Sequence, residues 1–223
     1  MTVLDVPIPP HRLAVSIRSL RRALPMVGCG LPAGVLRDPG LAAWVRTHGT
    51  TVNACGDDEL TLIHAGGVPP AQVVLRCGHV TDTIRRALGL GVNRFIVSTE
   101  RHIDVLAASG QQRVRIYLDD RGPVVVGERR LEVVGLHCDV DDSEGSLEWG
   151  AAAERLLCRT ALMKTCGLPL TRISLAGGSA ATWLCGAMPQ LTGVASAVDE
   201  ALDEGCARWH LPRPAVALAP LCV

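Results

Sequence analysis

The sequence has 223 residues, of which 48% are hydrophobic, and its 22 basic and 22 acidic residues give a formal charge of zero. This length fits one domain, residues 1–223, because α/β barrels commonly run to about 200–250 residues. No basic stripe dominates, which argues against a nucleic-acid partner. The first residues lack the features of a signal peptide, and no apolar stretch reaches the roughly 18 residues that a membrane span needs. We therefore expect a cytoplasmic protein with no membrane partner.

The predicted elements alternate between helices and short apolar strands along the whole chain. Helices are predicted at 11–24, 41–48, 57–65, 81–88, 100–108, 147–166 and 191–204. Strands are predicted at 26–29, 50–55, 72–76, 94–97, 114–118, 131–138, 172–175 and 215–219. Such alternation is typical of parallel sheets built from βαβ units. Eight strands predict an α/β fold of the (β/α)8 TIM-like barrel type, with an open doubly wound sheet as the alternative.

The predicted barrel is incomplete at two of its helices. The connection at 119–130 is barely as long as a parallel crossover requires, and its Val124-Val125-Val126 segment is strand-like, so we expect the fifth helix to be short or missing. The sequence stops just after the eighth strand, which predicts a missing eighth helix. We expect this second gap to leave part of the flank at strands one and eight uncovered.

Cysteine and lysine are used in an unusual way. The nine cysteines are scattered, so we expect reduced thiols that pack as small apolar side chains. Lys164 is the only lysine, and the other 21 basic residues are arginines. Its position in the helix after strand six predicts a solvated side chain on the outside of the barrel.

Five stretches occur in an order and spacing that resemble a known enzyme family. They are 52–60 (VNACGDDEL), 65–75 (AGGVPPAQVVL), 91–97 (GVNRFIV), 131–137 (LEVVGLH) and 174–178 (SLAGG). The chain is similar to diaminopimelate decarboxylase and, more broadly, to the fold-type III ornithine, diaminopimelate and arginine decarboxylases. The resemblance implies a barrel of the alanine-racemase/decarboxylase type that binds pyridoxal phosphate (PLP) at the carboxyl ends of its strands. It also implies amino-acid metabolism and an oligomer, with a separate C-terminal β-domain that we do not find in this sequence.

Most residues that the resemblance implies for the PLP ring are replaced. The lysine that holds PLP as a Schiff base, from a Tyr-Ala-Val-Lys-Ala-Asn-like motif, falls on Gly28. Lys164, the only lysine, is predicted on the outside of the barrel and cannot replace it. The family motif Gly-Leu-His-x-His keeps its first histidine as His137. The second histidine, whose ring stacks on the cofactor, aligns with Asp139, and a carboxylate there would repel an anionic cofactor.

The residues implied for the phosphate and the pyridine nitrogen are only partly kept. The glycine turn after strand seven appears as Gly177, Gly178 and Ser179, so a phosphate or another anion could still be held there. The Glu-Pro-Gly-Arg turn after strand eight keeps only Pro220. Glu59 matches a family glutamate after strand two, although its position in the first turn of a helix explains it equally well.

Three hypotheses follow, of which the second and third place a site at the carboxyl ends of the strands. The first is a non-catalytic homologue, a pseudoenzyme, that binds a partner as a homo-oligomer or with a decarboxylase-like protein. The second is an enzyme of altered chemistry that uses a metal or thiol, and its candidate ligands are Cys77, His79, His137, Cys138 and Asp139. The third is non-covalent binding of residual PLP or another anion at Gly177 and Gly178. We expect no resident cofactor, and we expect buried apolar cysteines rather than a metal site.

Overall fold

A computed structural model describes residues 10–111, 113–124, 128–143, 145–185 and 188–222. Its eight strands are all parallel, and they form a closed barrel in the order of the sequence. The barrel closes where Gly28 and Cys29 pair with Ala217 and Leu218, which excludes the open sheet. The strands are β1 (Gly28–Pro32), β2 (Thr51–Ala54), β3 (Val73–Arg76), β4 (Arg94–Val97), β5 (Val114–Asp119), β6 (Leu131–Val140), β7 (Arg172–Gly177) and β8 (Ala215–Ala219).

Eight α-helices surround the strands in the described ranges. They are α1 (Pro10–Ala23), α2 (Pro39–His48), α3 (Asp57–Ala65), α4 (Thr81–Gly89), α5 (Glu100–Ala108), α6 (Ser146–Thr165), α7 (Ala180–Cys185) and α8 (Met188–Trp209). Local sequence explains several boundaries: Asp38 caps α2 through the backbone N–H of Leu41, and Gly49 ends α2 with a φ of 64°. Two 3-10 turns (Ala33–Arg37 and Pro70–Gln72) and α7 were not predicted.

The hydrophobic core has two parts. The larger part lies between the strands and the ring of helices, and it includes the outward side chains of the strands. A smaller cluster inside the barrel consists of Val74, Ile96, Tyr117 and Val134. The smaller cluster lies on one side of the interior, because β1 and β8 contribute mostly glycine and alanine.

The expected loss of the helix between β5 and β6, the fifth of the predicted barrel, is confirmed for the residues described there. No helix occurs at 120–124 or 128–130. Residues 125 and 126 of the strand-like segment lie outside the described residues. Arg159 of α6 donates to the backbone oxygens of Asp119 and Gly122, at 3.1 and 2.9 Å. These two hydrogen bonds hold the start of the connection against α6.

The expectation of an uncovered flank at β1 and β8 is wrong. Helix α1 packs against α2, α7 and α8, and it therefore lies on the flank between β8 and β1. Leu13 and Leu20 of α1 are buried in the same core as Leu31 of β1 and Leu218 of β8, and none of the four is more than 1% exposed. Helix α1, which precedes β1, thus covers the flank that a helix after β8 would cover. Among the described residues, no helix is both long and apolar enough to cross a bilayer.

Candidate functional site

A chain of polar side chains crosses the barrel at its carboxyl end. His137 of β6 is 2% exposed, and its Nδ1 lies 3.0 Å from Ser174 Oγ while its Nε2 lies 3.1 Å from Asp139 Oδ1. Asp139 also accepts a hydrogen bond of 2.5 Å from Arg76 Nη1 and forms an ion pair with Nη2 of the same arginine. Asp119 lies 3.8 Å from Arg76. These side chains come from β3, β5, β6 and β7, and they meet because carboxyl ends of parallel strands share one end of a barrel.

The electrostatics of this chain favour an ionised Asp139. Burial alone would raise the pKa of its carboxyl, but the hydrogen bonds from His137 and Arg76 outweigh burial and lower the pKa to about 2. The ionised carboxylate can only accept, so His137 donates from Nε2, and in a neutral ring Nδ1 accepts from the Ser174 hydroxyl. The ionised aspartate therefore sets the direction of both hydrogen bonds: Ser174 donates to His137, and His137 donates to Asp139.

Gly177 and Gly178, the predicted phosphate turn, are closely covered. A Cβ on Gly177 would lie 2.6 Å from the buried Trp149 ring, and a Cβ on Gly178 would lie 2.7 Å from Asp142 Oδ2. The backbone oxygen of Gly177 accepts from the Trp183 indole at 3.1 Å. The Asp142 carboxylate would repel a phosphate placed at this turn.

The other two residues predicted beside the cofactor cap helices. Ser179 accepts from the backbone N–H of Thr182 at 3.2 Å, within the first turn of α7. Glu59 accepts from the backbone N–H of Cys55 at 2.5 Å, at the start of α3. Burial raises the pKa of Glu59, although hydrogen bonds from the backbone of Cys55 and Gly56 oppose this effect. Both side chains are used to satisfy backbone donors at a helix terminus.

Among the described residues, no lysine reaches the carboxyl end of the barrel. Gly28 is the first residue of β1, and Gly30, the next interior position, is nearer to the carboxyl end. A Cβ on Gly30 would lie only 2.8 Å from Asn53 Nδ2 and 2.9 Å from Ala219. Lys164 is in the last turn of α6 and donates to the backbone oxygen of His210, at the amino-terminal end of the barrel.

The five candidate metal ligands do not converge. His137 and Asp139 are in contact, but Cys138 points outwards and lies 3.4 Å from Arg155. Cys77 is buried in the outer core and His79 is exposed. No group of three or more His, Cys, Asp or Glu that could hold a metal ion is found in the described part of the chain.

The pKa values of the buried thiols argue against reactive thiolates. Burial raises the pKa of Cys77 to about 12. Burial together with Asp120 raises the pKa of Cys138 to about 12. A thiol with a raised pKa is a poor nucleophile and a poor metal ligand, because both roles need the thiolate.

Sequence reasoning missed three contributors to this end: Arg76, Asp119 and Ser174. The signal for Arg76 was available, since a basic residue that ends an otherwise apolar strand points towards the end where function resides in barrels. Its partner Asp139 is far along the sequence, so no local pattern links the two.

No sequence profile of a known family and no curated protein matches the chain. Solved structures do match. The lysine/ornithine decarboxylase of Vibrio vulnificus, solved with putrescine, is 18% identical over 96% of this chain and 61% of its own, with a TM-score of 0.73. The lysine decarboxylase of Selenomonas ruminantium is 15% identical over 98% and 62%, with a TM-score of 0.72. The diaminopimelate decarboxylase of M. jannaschi is 11% identical over 96% and 59%, with a TM-score of 0.76.

The fold is therefore that of the barrel domain of fold-type III decarboxylases, as the sequence motifs predicted. The chain spans about six-tenths of the length of these solved structures. At this level of identity the likeness shows the fold alone. The described residues do not fit lysine-linked PLP, since the interior positions Gly28 and Gly30 of β1 carry no side chain and Asp142 lies beside the glycine turn.

Proposed function

We propose that this barrel does not perform PLP-dependent decarboxylation and acts instead by binding, as a non-catalytic relative of the decarboxylases whose fold it shares. One observation carries the proposal: the polar chain Arg76–Asp139–His137 lies at the end where the cofactor would sit, while Lys164 lies at the opposite end. A Schiff base needs an amine within bonding distance of the aldehyde, and the described residues place none there.

A PLP titration followed by borohydride reduction and peptide mapping tests this proposal. We expect no saturable binding and no reduced adduct inside the barrel. Lys164 is exposed and can form a non-specific adduct with any aldehyde, so the Lys164→Arg variant is the matched control. An adduct that is lost in Lys164→Arg is a surface reaction, whereas saturable binding that persists in the variant would overturn the proposal.

For the binding partner we propose a protein, either a second copy of this chain or a decarboxylase-like chain, because the resemblance implies an oligomer. Sedimentation velocity of the chain alone, and then with a decarboxylase of this fold, measures both possibilities. A monomer that stays a monomer in both experiments would refute the partner. Neither result depends on PLP.

A second candidate function is supported by the hydrogen-bond order Ser174–His137–Asp139. Both distances, 3.0 and 3.1 Å, are within the range in which an imidazole activates a serine for acyl transfer. Against it, Arg76 neutralises much of the aspartate charge that would stabilise an imidazolium. A fluorophosphonate probe decides: labelling that disappears in Ser174→Ala would support a hydrolase, and no labelling of the folded protein would reject it.

A further inference from the structure

The interior of the barrel is not filled on the side of β1 and β8. Barrel interiors normally contain layers of large branched side chains. Here the interior positions of these two strands carry Gly28, Gly30, Ala217 and Ala219. They leave a cavity of about 160 Å³, which reaches the amino-terminal end of the barrel beside Met26 and Ala215.

Positive charge lines this cavity without a matching carboxylate. Arg94 and Arg172 both line it, and neither has an acidic partner within salt-bridge distance among the described residues. Arg115 lies at the same end of the barrel, but it forms a salt bridge of 3.1 Å with Glu132. The lack of a carboxylate partner is therefore specific to the two arginines that line the cavity and is not shared by every arginine at this end.

The guanidinium of Arg94 has an unused donor. Its Nη2 donates to the backbone oxygen of Ala71, but its Nε is buried and has no hydrogen-bond partner. Burial lowers the pKa of Arg94, and the neighbouring cations Arg172 and Arg115 lower it further. A desolvated cation with an orphan donor is costly unless an acceptor of opposite charge is supplied.

The rest of the lining suits an oxygen-rich ligand of small size. Thr51, Asn53 and Tyr117 supply hydroxyl and amide groups that can donate to an anion. The volume is several times the roughly 30 Å³ that one water occupies in the liquid. It is below the roughly 300 Å³ at which pockets for cofactors and drug-sized ligands begin.

We propose that the amino-terminal end of this barrel binds a compact oxyanion, a phosphate or a short carboxylate, between Arg94 and Arg172. This site lies at the end opposite to the Arg76–Asp139 ion pair and goes beyond the proposed function. The anion supplies the missing counter-charge, and the Arg94 Nε–H donates to one of its oxygens. The hydroxyl and amide groups on the other strands orient the remaining oxygens.

Calorimetric titration with inorganic phosphate, and separately with acetate, tests the site on the whole chain. We expect a Kd on the order of 1 mM or tighter for at least one of them. Tighter binding of phosphate identifies a phosphoryl ligand, and tighter binding of acetate identifies a carboxylate. No saturable heat with either anion overturns the proposal.

Three variants separate this site from general anion effects. Arg94→Met should weaken binding at least tenfold, which corresponds to about 1.4 kcal/mol. Arg115→Met is the matched control: this arginine is already paired with Glu132, so its loss should change the Kd by no more than about twofold. Ala217→Leu keeps both arginines but fills the cavity, so it should abolish binding while thermal unfolding confirms the fold. Equal binding by all three variants would show adsorption to the surface, and it would overturn the proposal without affecting the PLP experiment.

Discussion

The two ends of the barrel differ in how their charged side chains are paired. At the carboxyl end, Arg76 is matched by Asp139, and the aspartate is also held by His137. At the amino-terminal end, Arg94 and Arg172 face a cavity lined by small residues and have no carboxylate partner in the described ranges. The charged side chains of the polar chain at the carboxyl end are thus paired with each other, while the amino-terminal end still has donors to offer a ligand.

In this barrel the unpaired charges lie at the end of the strands that does not usually carry function. Function generally resides at the carboxyl ends of the strands, and the opposite end contributes stability. Here the polar groups Arg76, Asp139 and His137 at the carboxyl end contact each other. The comparison can be sharpened by making the same change at each end and measuring the two effects.

The largest contrast is expected from a methyl group added at each end. Gly177→Ala places a Cβ 2.6 Å from the Trp149 ring and 3.0 Å from the Val140 oxygen, so we expect a loss of about 1–3 kcal/mol in the free energy of unfolding. Gly28→Ala meets nothing closer than 3.5 Å and should be neutral or stabilising by about 0.4–1 kcal/mol. Urea unfolding measures both, and equal losses would mean that the two ends are packed equally tightly.

Removing one arginine from each end should also give opposite results. Arg76→Met leaves Asp139 without its main counter-charge, and we expect a loss of about 1–2 kcal/mol, reduced from the value for fully buried pairs because about a third of each side chain is exposed (31% and 34%). Arg94→Met removes a desolvated cation that lacks an acidic partner, so stability should stay within about 0.5 kcal/mol or rise. A greater loss for Arg94→Met in anion-free buffer would contradict the comparison.

The pH dependence of stability should reveal the carboxyl end. The folded pKa of Asp139, about 2, is below the usual value for an aspartate, so its contribution is present above about pH 4 and is lost as the pH falls towards 2. With its partial exposure taken into account, we expect a contribution of about 1–2 kcal/mol. Unfolding curves of wild type and Asp139→Asn should converge over this range, and a constant gap between them would refute the assignment.

The smallest effect is expected at Glu59. Its carboxylate accepts from the Cys55 backbone at the start of α3, so Glu59→Ala should cost about 0.5–1 kcal/mol. Glu59→Gln keeps the accepting oxygen, and it should cost less because burial already disfavours the charged form. If glutamine were as damaging as alanine, the charge rather than the cap would be the contribution of Glu59.

Sequence reasoning predicted the barrel because each strand shows its pattern locally. The strands at Arg94–Val97 and Ala215–Ala219 were placed to the residue, and the absence of a helix among the residues described between β5 and β6 followed from the length of that connection. The first strand was placed two residues early, because the apolar Met26 and Val27 were taken as strand and Met26 is in fact an exposed residue with a positive φ.

The candidate site was predicted less well, because its contacts are not local. Asp139 was expected to repel a cofactor, and its ion pair with Arg76 could not be seen without the closed sheet. Gly177 and Gly178 were interpreted as an anion turn, but the proximity of Asp142 and Trp149 depends on how the connection after β6 and helix α6 pack against β7. The cavity, too, appears only when Gly28 and Ala217 are brought together by the last strand pairing.

Helix α1 ties the beginning of the chain to its last elements. Its apolar face is buried only after α8 has formed, since α8 is its most extensive helical neighbour. During synthesis on the ribosome this face must therefore remain without its partner until nearly the whole barrel has emerged. Contacts between distant parts of a sequence slow folding. Closure of the barrel and docking of α1 should accordingly be a late, shared step, and a newly made chain is most exposed to chaperones and proteases just before it.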